Sequence, residues 1–150
     1  MAREQIPVSK RAASIEYAIR DVVVPATKLE SEGHEIIKLN IGDPIAYPGL
    51  PTPKHMVDAY VDALKSGNNG YSPAYGLPEL RASIAQDERR KGGPARQDDI
   101  YVCHGVTEAL QVIFAATLEV GDVVLAPGPH YPPYLSYPQM FGAKTLEYML

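Results

Sequence analysis

The chain has 150 residues, 14 Lys plus Arg against 18 Asp plus Glu, and a formal net charge of −4. Its cations are scattered, so there is no basic field for nucleic acid, and no apolar run of about 18 residues offers a membrane helix. Met1-Ala-Arg-Glu leads into no signal-peptide core, and the single cysteine, Cys103, permits no internal disulfide; both point to a reducing, cytoplasmic compartment.

In chain order, Ile15, Ile19, Val22, Ala26 and Leu29 recur at helical spacing, with Pro25 a kink or restart and Gly33 the stop. Ile36-Ile37-Lys38-Leu39 predicts a short strand leading to Gly42, and the proline-rich Pro44 to Pro53 bridge is the expected boundary between residues 1–50 and residues 51–150. Beyond it, Thr52 as N-cap and Pro53 at the first helical position open a helix whose Val57, Tyr60, Val61 and Leu64 face inward, closed by Gly67. Pro78 opens another, ending at Arg89-Arg90-Lys91-Gly92, where cations suit the negative end of the dipole.

Strands are expected near Ile100–Cys103, Val123–Ala126 and Lys144–Tyr148, alternating with helices, which argues for a mostly parallel sheet in an α/β fold. Cys103 reads as a buried strand cysteine, and the adjacent His104 lacks partner ligands for a metal. The helix after Gly105 carries Leu110, Ile113, Phe114 and Leu118 on one stripe, with Gly121 as its C-terminal stop.

The chemistry concentrates at Val102-Cys-His-Gly-Val-Thr-Glu-Ala-Leu110. A strand running through glycine into a helix presents Gly105, Val106 and Thr107 on a first turn whose amides lack helical partners and whose dipole favours an anion. Thr107 adds a hydroxyl. From these residues alone, the junction is equally an ordinary strand–turn–helix without a ligand. The loop Ala126-Pro-Gly-Pro-His-Tyr-Pro-Pro-Tyr134 follows the next strand at the sheet edge where open α/β folds bind ligands, so Tyr131 stands beside the anion site and could stack on a planar heterocycle, or simply pack on the surface. The Gly128–Pro129 bond is a candidate for the cis form.

Four ordered segments, Leu39-Asn-Ile-Gly-Asp-Pro44, Asn69-Gly-Tyr-Ser-Pro-Ala-Tyr-Gly-Leu-Pro-Glu-Leu-Arg81, Gly105-Val-Thr-Glu-Ala-Leu110 and Gly128-Pro-His-Tyr131, resemble the class I/II aminotransferases of fold type I, which use pyridoxal 5'-phosphate. Ser14-Ile-Glu-Tyr-Ala-Ile-Arg-Asp-Val-Val-Val-Pro25 and Gly128-Pro-His-Tyr-Pro-Pro-Tyr134 look most like archaeal-type alanine aminotransferases and their aspartate-handling relatives. The resemblance implies the N-terminal part of such an enzyme, with residues 1–50 an arm and small-domain segment and residues 51–150 the start of the cofactor-binding large domain. By the same resemblance, Val106 and Thr107 hold the cofactor phosphate, Tyr131 stacks on its ring, Tyr71 reaches the phosphate in the other subunit of a homodimer, and Gly42 meets the substrate carboxylate. Tyr71 as a loop tyrosine capping the next helix, and Gly42 as a plain turn glycine, are the alternatives. The family usually places tryptophan or another aromatic over the ring; this chain has Tyr131 and no tryptophan.

Transamination needs a lysine that is both nucleophile and proton carrier, a carboxylate on the pyridine nitrogen and an arginine fork. In the family these lie beyond residue 150, and Lys10, Lys28, Lys38, Lys54, Lys65, Lys91 and Lys144 read as solvated surface lysines, so no catalytic residue is assigned here. The expectation is a truncated product, a proteolytic fragment or part of a longer polypeptide that moves an amino group from alanine or aspartate to 2-oxoglutarate. Alternatives are another fold-type-I enzyme, such as a carbon–sulfur lyase, or a non-catalytic phosphate-binding or assembly module.

Overall fold

A computed structural model describes residues 6–13, 15, 18–40, 42–46 and 49–150. Six helices are described, α1 (Lys10–Ala13), α2 (Ala18–Ser31), α3 (Lys54–Lys65), α4 (Pro78–Arg90), α5 (Gly105–Thr117) and α6 (Pro133–Met140), with strands β1 (Val123–Gly128) and β2 (Lys144–Met149). The chain forms two compact units, Met1–Asn40 with His104–Leu150, and Ile41–Cys103.

In the first unit, β1 and β2 pair in parallel, Val123 opposite Lys144 through Gly128 opposite Met149, with α6 as the crossover. The turns that lead into the two strands are tied to each other: the Gly121 amide donates to the Gly142 carbonyl at 3.0 Å, and the Lys144 amide to the Asp122 carbonyl at 2.8 Å. Phe114, Ala126, Pro133, Ser136, Pro138 and Ala143 are buried here. Pro138 has no amide, so it cannot bond to the Tyr134 carbonyl four residues back. The Thr145 hydroxyl from β2 donates to that carbonyl instead, at 2.7 Å. Pro25 lies inside α2, which runs on to Ser31 and ends as expected at Gly33, whose φ is +92°.

The second unit is centred on Arg81, whose guanidinium donates to the carbonyls of Ile100 and Gln97, each at 2.9 Å, and lies 5.7 Å from the centre of the Tyr75 ring. Tyr75 in turn meets Tyr101 edge-on at 5.0 Å. Gly76 has φ +99°, and a Cβ there would stand 2.3 Å from Cγ2 of Val102. Both the backbone angle and the space therefore demand glycine.

Several expectations need correction. Residues 36–39 form no strand, and Ile37 and Leu39 are 80% and 90% exposed. Residues 100–103 form none either: Val102 gives one amide bond to Tyr75, not a ladder, and Cys103 is half-buried. An apolar run becomes a strand only where a neighbour accepts its hydrogen bonds, and the only described ladder joins β1 to β2. The N-cap of α3 is Pro53, not Thr52, and Val57, Tyr60, Val61 and Leu64 are exposed. On α5, Phe114 is buried but Ile113 is exposed, and the helix stops at Thr117 with Leu118 as C-cap, leaving Gly121 to the turn before β1. The segment read as a loop over residues 126–134 is strand up to Gly128 and helix from Pro133.

Candidate functional site

The N-terminus of α5 is built on Gly105, the first helical residue, whose φ of +75° favours glycine although a Cβ there would meet nothing within 4 Å. His104, the N-cap, donates its backbone amide to the Glu108 carboxylate. Among the described residues, the amides of Gly105, Val106 and Thr107 have no protein acceptor. A first turn of a thirteen-residue helix with free amides and a positive dipole end suits an anionic oxygen cluster.

The loop after β1 brings Tyr131 to this turn. Its hydroxyl lies 3.1 Å from Oγ1 of Thr107, and either can donate. Tyr131 is 42% exposed, its ring edge-on to Tyr134 at 6.5 Å and 90°. The Gly128–Pro129 peptide bond is cis, as the sequence allowed. Thus Val106, Thr107 and Tyr131 come together: amides, a hydroxyl and a phenol at one helix end. This donor set fits a phosphate ester carried on a flat ring, with Thr107 as a hydroxyl donor and Tyr131 as an exposed aromatic surface.

Gly42 and Tyr71 belong to the other unit. Gly42 faces open space, and the following Asp43 carboxylate accepts the Ile45 amide at 3.1 Å, an Asx turn leading into the 3-10 turn Pro44–Ala46. Tyr71 is fully exposed at 109%, and α4, whose N-cap is Leu77, has no side-chain cap, so Tyr71 does not cap it.

All seven lysines are exposed. Lys91, bound to Asp87 and Glu88 at 2.8 and 2.9 Å, has its amine held above the usual lysine range by those hydrogen bonds, Asp87 first. Among the described residues, no group of three His, Cys, Asp or Glu could hold a metal ion, and no helix is long and apolar enough to cross a membrane. Sequence reasoning missed Glu108, because its spacing from His104 is four residues rather than the three of a capping box. It also missed His130 and Glu147, which are far apart in sequence and meet only across the fold.

Residues 34–150 match the family model described as aminotransferase class I and II. The chain belongs to this family. It is 33% identical over 134 residues to an aspartate aminotransferase of Geobacillus stearothermophilus, covering 88% of this chain and 32% of that protein. It is 35% identical over 147 residues to a glutamate-pyruvate aminotransferase of Haemophilus influenzae, covering 95% of this chain and 35% of that one. Among solved structures, an alanine aminotransferase from Pyrococcus furiosus matches with a TM-score of 0.89 and 51% identity over 95% of this chain and 36% of its own. The chain thus spans about a third of the length of the relatives it matches. Its architecture is that of a fold-type-I aminotransferase, with the β1–α6–β2 parallel unit as part of the α/β layer.

Proposed function

We propose that this chain supplies the phosphate and ring contacts of a pyridoxal-phosphate aminotransferase. The observation that carries the reading is the meeting of the Thr107 and Tyr131 hydroxyls, 3.1 Å apart, at the free amides of α5. In this reading the amides of Val106 and Thr107 and the Thr107 hydroxyl hold the phosphate, and Tyr131 lies against the ring and fixes its plane. When bound, the cofactor supplies an electron sink for bond breaking at the substrate α-carbon. Gly42 offers uncrowded backbone to a substrate carboxylate, and Tyr71, exposed on its loop, reaches the phosphate site of a second subunit in a homodimer.

Residues 1–50 are assigned to the arm and small domain, and residues 51–150 to the start of the large domain. The reaction proposed is transfer of an amino group from alanine or aspartate to 2-oxoglutarate in the cytoplasm, supported by the alanine and aspartate aminotransferases among the matches. All seven lysines are exposed, so the amine that binds the cofactor covalently is assigned to sequence outside residues 1–150.

The test is an absorbance spectrum of the protein expressed from its complete reading frame, with pyridoxal phosphate added, before and after borohydride, followed by peptide mass mapping. A borohydride-trapped chromophore on one lysine outside residues 1–150 is expected. Absence of any protein-bound band, or trapping on one of the seven lysines here, overturns the assignment.

A further inference from the structure

The loop that delivers Tyr131 is held from behind by a pair of side chains with no part in the contacts above. The His130 side chain is only 6% exposed. Its Nδ1 donates to the Tyr131 carbonyl at 3.2 Å, and its Nε2 lies 3.2 Å from Oε1 of Glu147. The Nε2 contact is close but does not have the geometry of a hydrogen bond, so this buried nitrogen has no hydrogen-bond partner. Both neighbouring oxygens are acceptors. A buried polar nitrogen left unpaired is costly, and the Glu147 carboxylate is the group placed to relieve it.

Glu147 stands on β2 opposite Ala126 of β1, one strand register from the loop. Its other oxygen, Oε2, lies 3.1 Å from where a Cβ on Gly128 would be, so the bare Gly128 backbone leaves the carboxylate room to reach across β1. The His130 ring meets Tyr134 edge-on at 6.1 Å, and Tyr134 meets Tyr131 edge-on at 6.5 Å. A run of contacts therefore leads from β2 through Glu147, His130 and Tyr134 to the phenol at Thr107.

We infer that Glu147 and His130 are positioning residues for Tyr131: the pair sets the angle at which the loop presents that ring to the N-terminus of α5. The cofactor consequence rests on the Tyr131 reading under Proposed function; the orientation of the ring does not.

The experiment uses the protein from its complete reading frame with 3-fluorotyrosine incorporated, the Tyr131 fluorine resonance being assigned by its loss in Tyr131→Phe. Glu147→Ala and His130→Ala are expected to shift or broaden that resonance without cofactor, leaving most other tyrosine resonances in place. They are also expected to weaken pyridoxal phosphate binding about tenfold, which corresponds to about 1.4 kcal/mol. Glu147→Gln, whose amide can accept from or donate to Nε2, is expected to return both readouts toward the parent. An unmoved Tyr131 resonance in Glu147→Ala overturns the inference. So does a collapse of all tyrosine resonances in both alanine variants, which would make the pair a support of the whole fold. If the parent binds no pyridoxal phosphate, the cofactor reading falls while the fluorine comparison still decides the positioning role.

Discussion

The Thr145 hydroxyl completes a helix it does not belong to: it donates to the Tyr134 carbonyl at 2.7 Å, the acceptor that Pro138 cannot serve. One proline in α6 thus leaves a gap that one β2 side chain fills, tying crossover helix to strand directly behind the Tyr131 loop. Thr145→Val keeps the shape and removes the donor. It is expected to lower stability by about 1 kcal/mol, since the acceptor left unpaired is part-buried, and to lower the thermal midpoint, while Thr145→Ser retains most of the parent value. Equal midpoints for the valine and serine variants would refute this.

Gly76 is constrained twice, by a φ of +99° and by Val102, whose Cγ2 would stand 2.3 Å from a Cβ at this position. Gly76→Ala should destabilise the protein by about 2 kcal/mol or more, combining left-handed strain of about 1–2 kcal/mol with overpacking. Adding Val102→Ala removes the Cγ2 contact but leaves the Val102 Cβ, which would stand 2.6 Å away, and the backbone angle, so Gly76→Ala should still destabilise in the Val102→Ala background, by only somewhat less than in the parent. A double-mutant cycle from denaturant unfolding checks this.

Asp87 is held below the ordinary aspartate value of 3.8 by its hydrogen bond to Lys91, and Asp99 by hydrogen bonds from the Arg96 side chain and amide. A carboxylate depressed in the folded state adds stability above its unfolded pKa and loses it as pH falls through the folded value. Carboxyl carbon shifts followed by NMR should therefore give both groups midpoints below 3.8, with their contribution fading only in that acid range. Lys91→Met should raise the Asp87 midpoint and leave that of Asp99 in place. Both groups are exposed, so the stability change should be small and salt-sensitive.

The proposed cofactor contacts separate hydroxyl from ring. Thr107→Val removes a donor to the phosphate and should weaken pyridoxal phosphate binding about tenfold or more. Tyr131→Phe keeps the ring and should cost less than Tyr131→Ala, which removes the stacking surface. Titration by absorbance ranks the three; a phenylalanine variant as weak as the alanine one would place the phenol hydroxyl, rather than the ring, in the leading role.

The candidate site was partly legible before the fold. Gly105, Val106 and Thr107 are neighbours in sequence, so helix-end chemistry alone makes them an anion turn, and the proline-rich loop marks Tyr131 as held near a sheet edge. Glu108, His130 and Glu147 were not legible: a charged residue on a helix or strand, as Glu108 and Glu147 are, usually faces solvent, and nothing in the loop around His130 shows that its ring turns inward toward β2.

The sequence by itself determined the features that arise within a few residues: Pro78 opening α4, Gly33 and Gly67 closing their helices, the β1 and β2 runs and the amide-rich start of α5. Each follows from one residue's φ preference, a missing amide or a short apolar run. Only the tertiary structure decided that residues 36–39 and 100–103 are not strands, that Thr145 repairs the gap at Pro138 and that Glu147 stands against His130. Those outcomes depend on which group lies opposite in space, and hydrogen-bond partners across a fold are set by packing, not by neighbours along the chain.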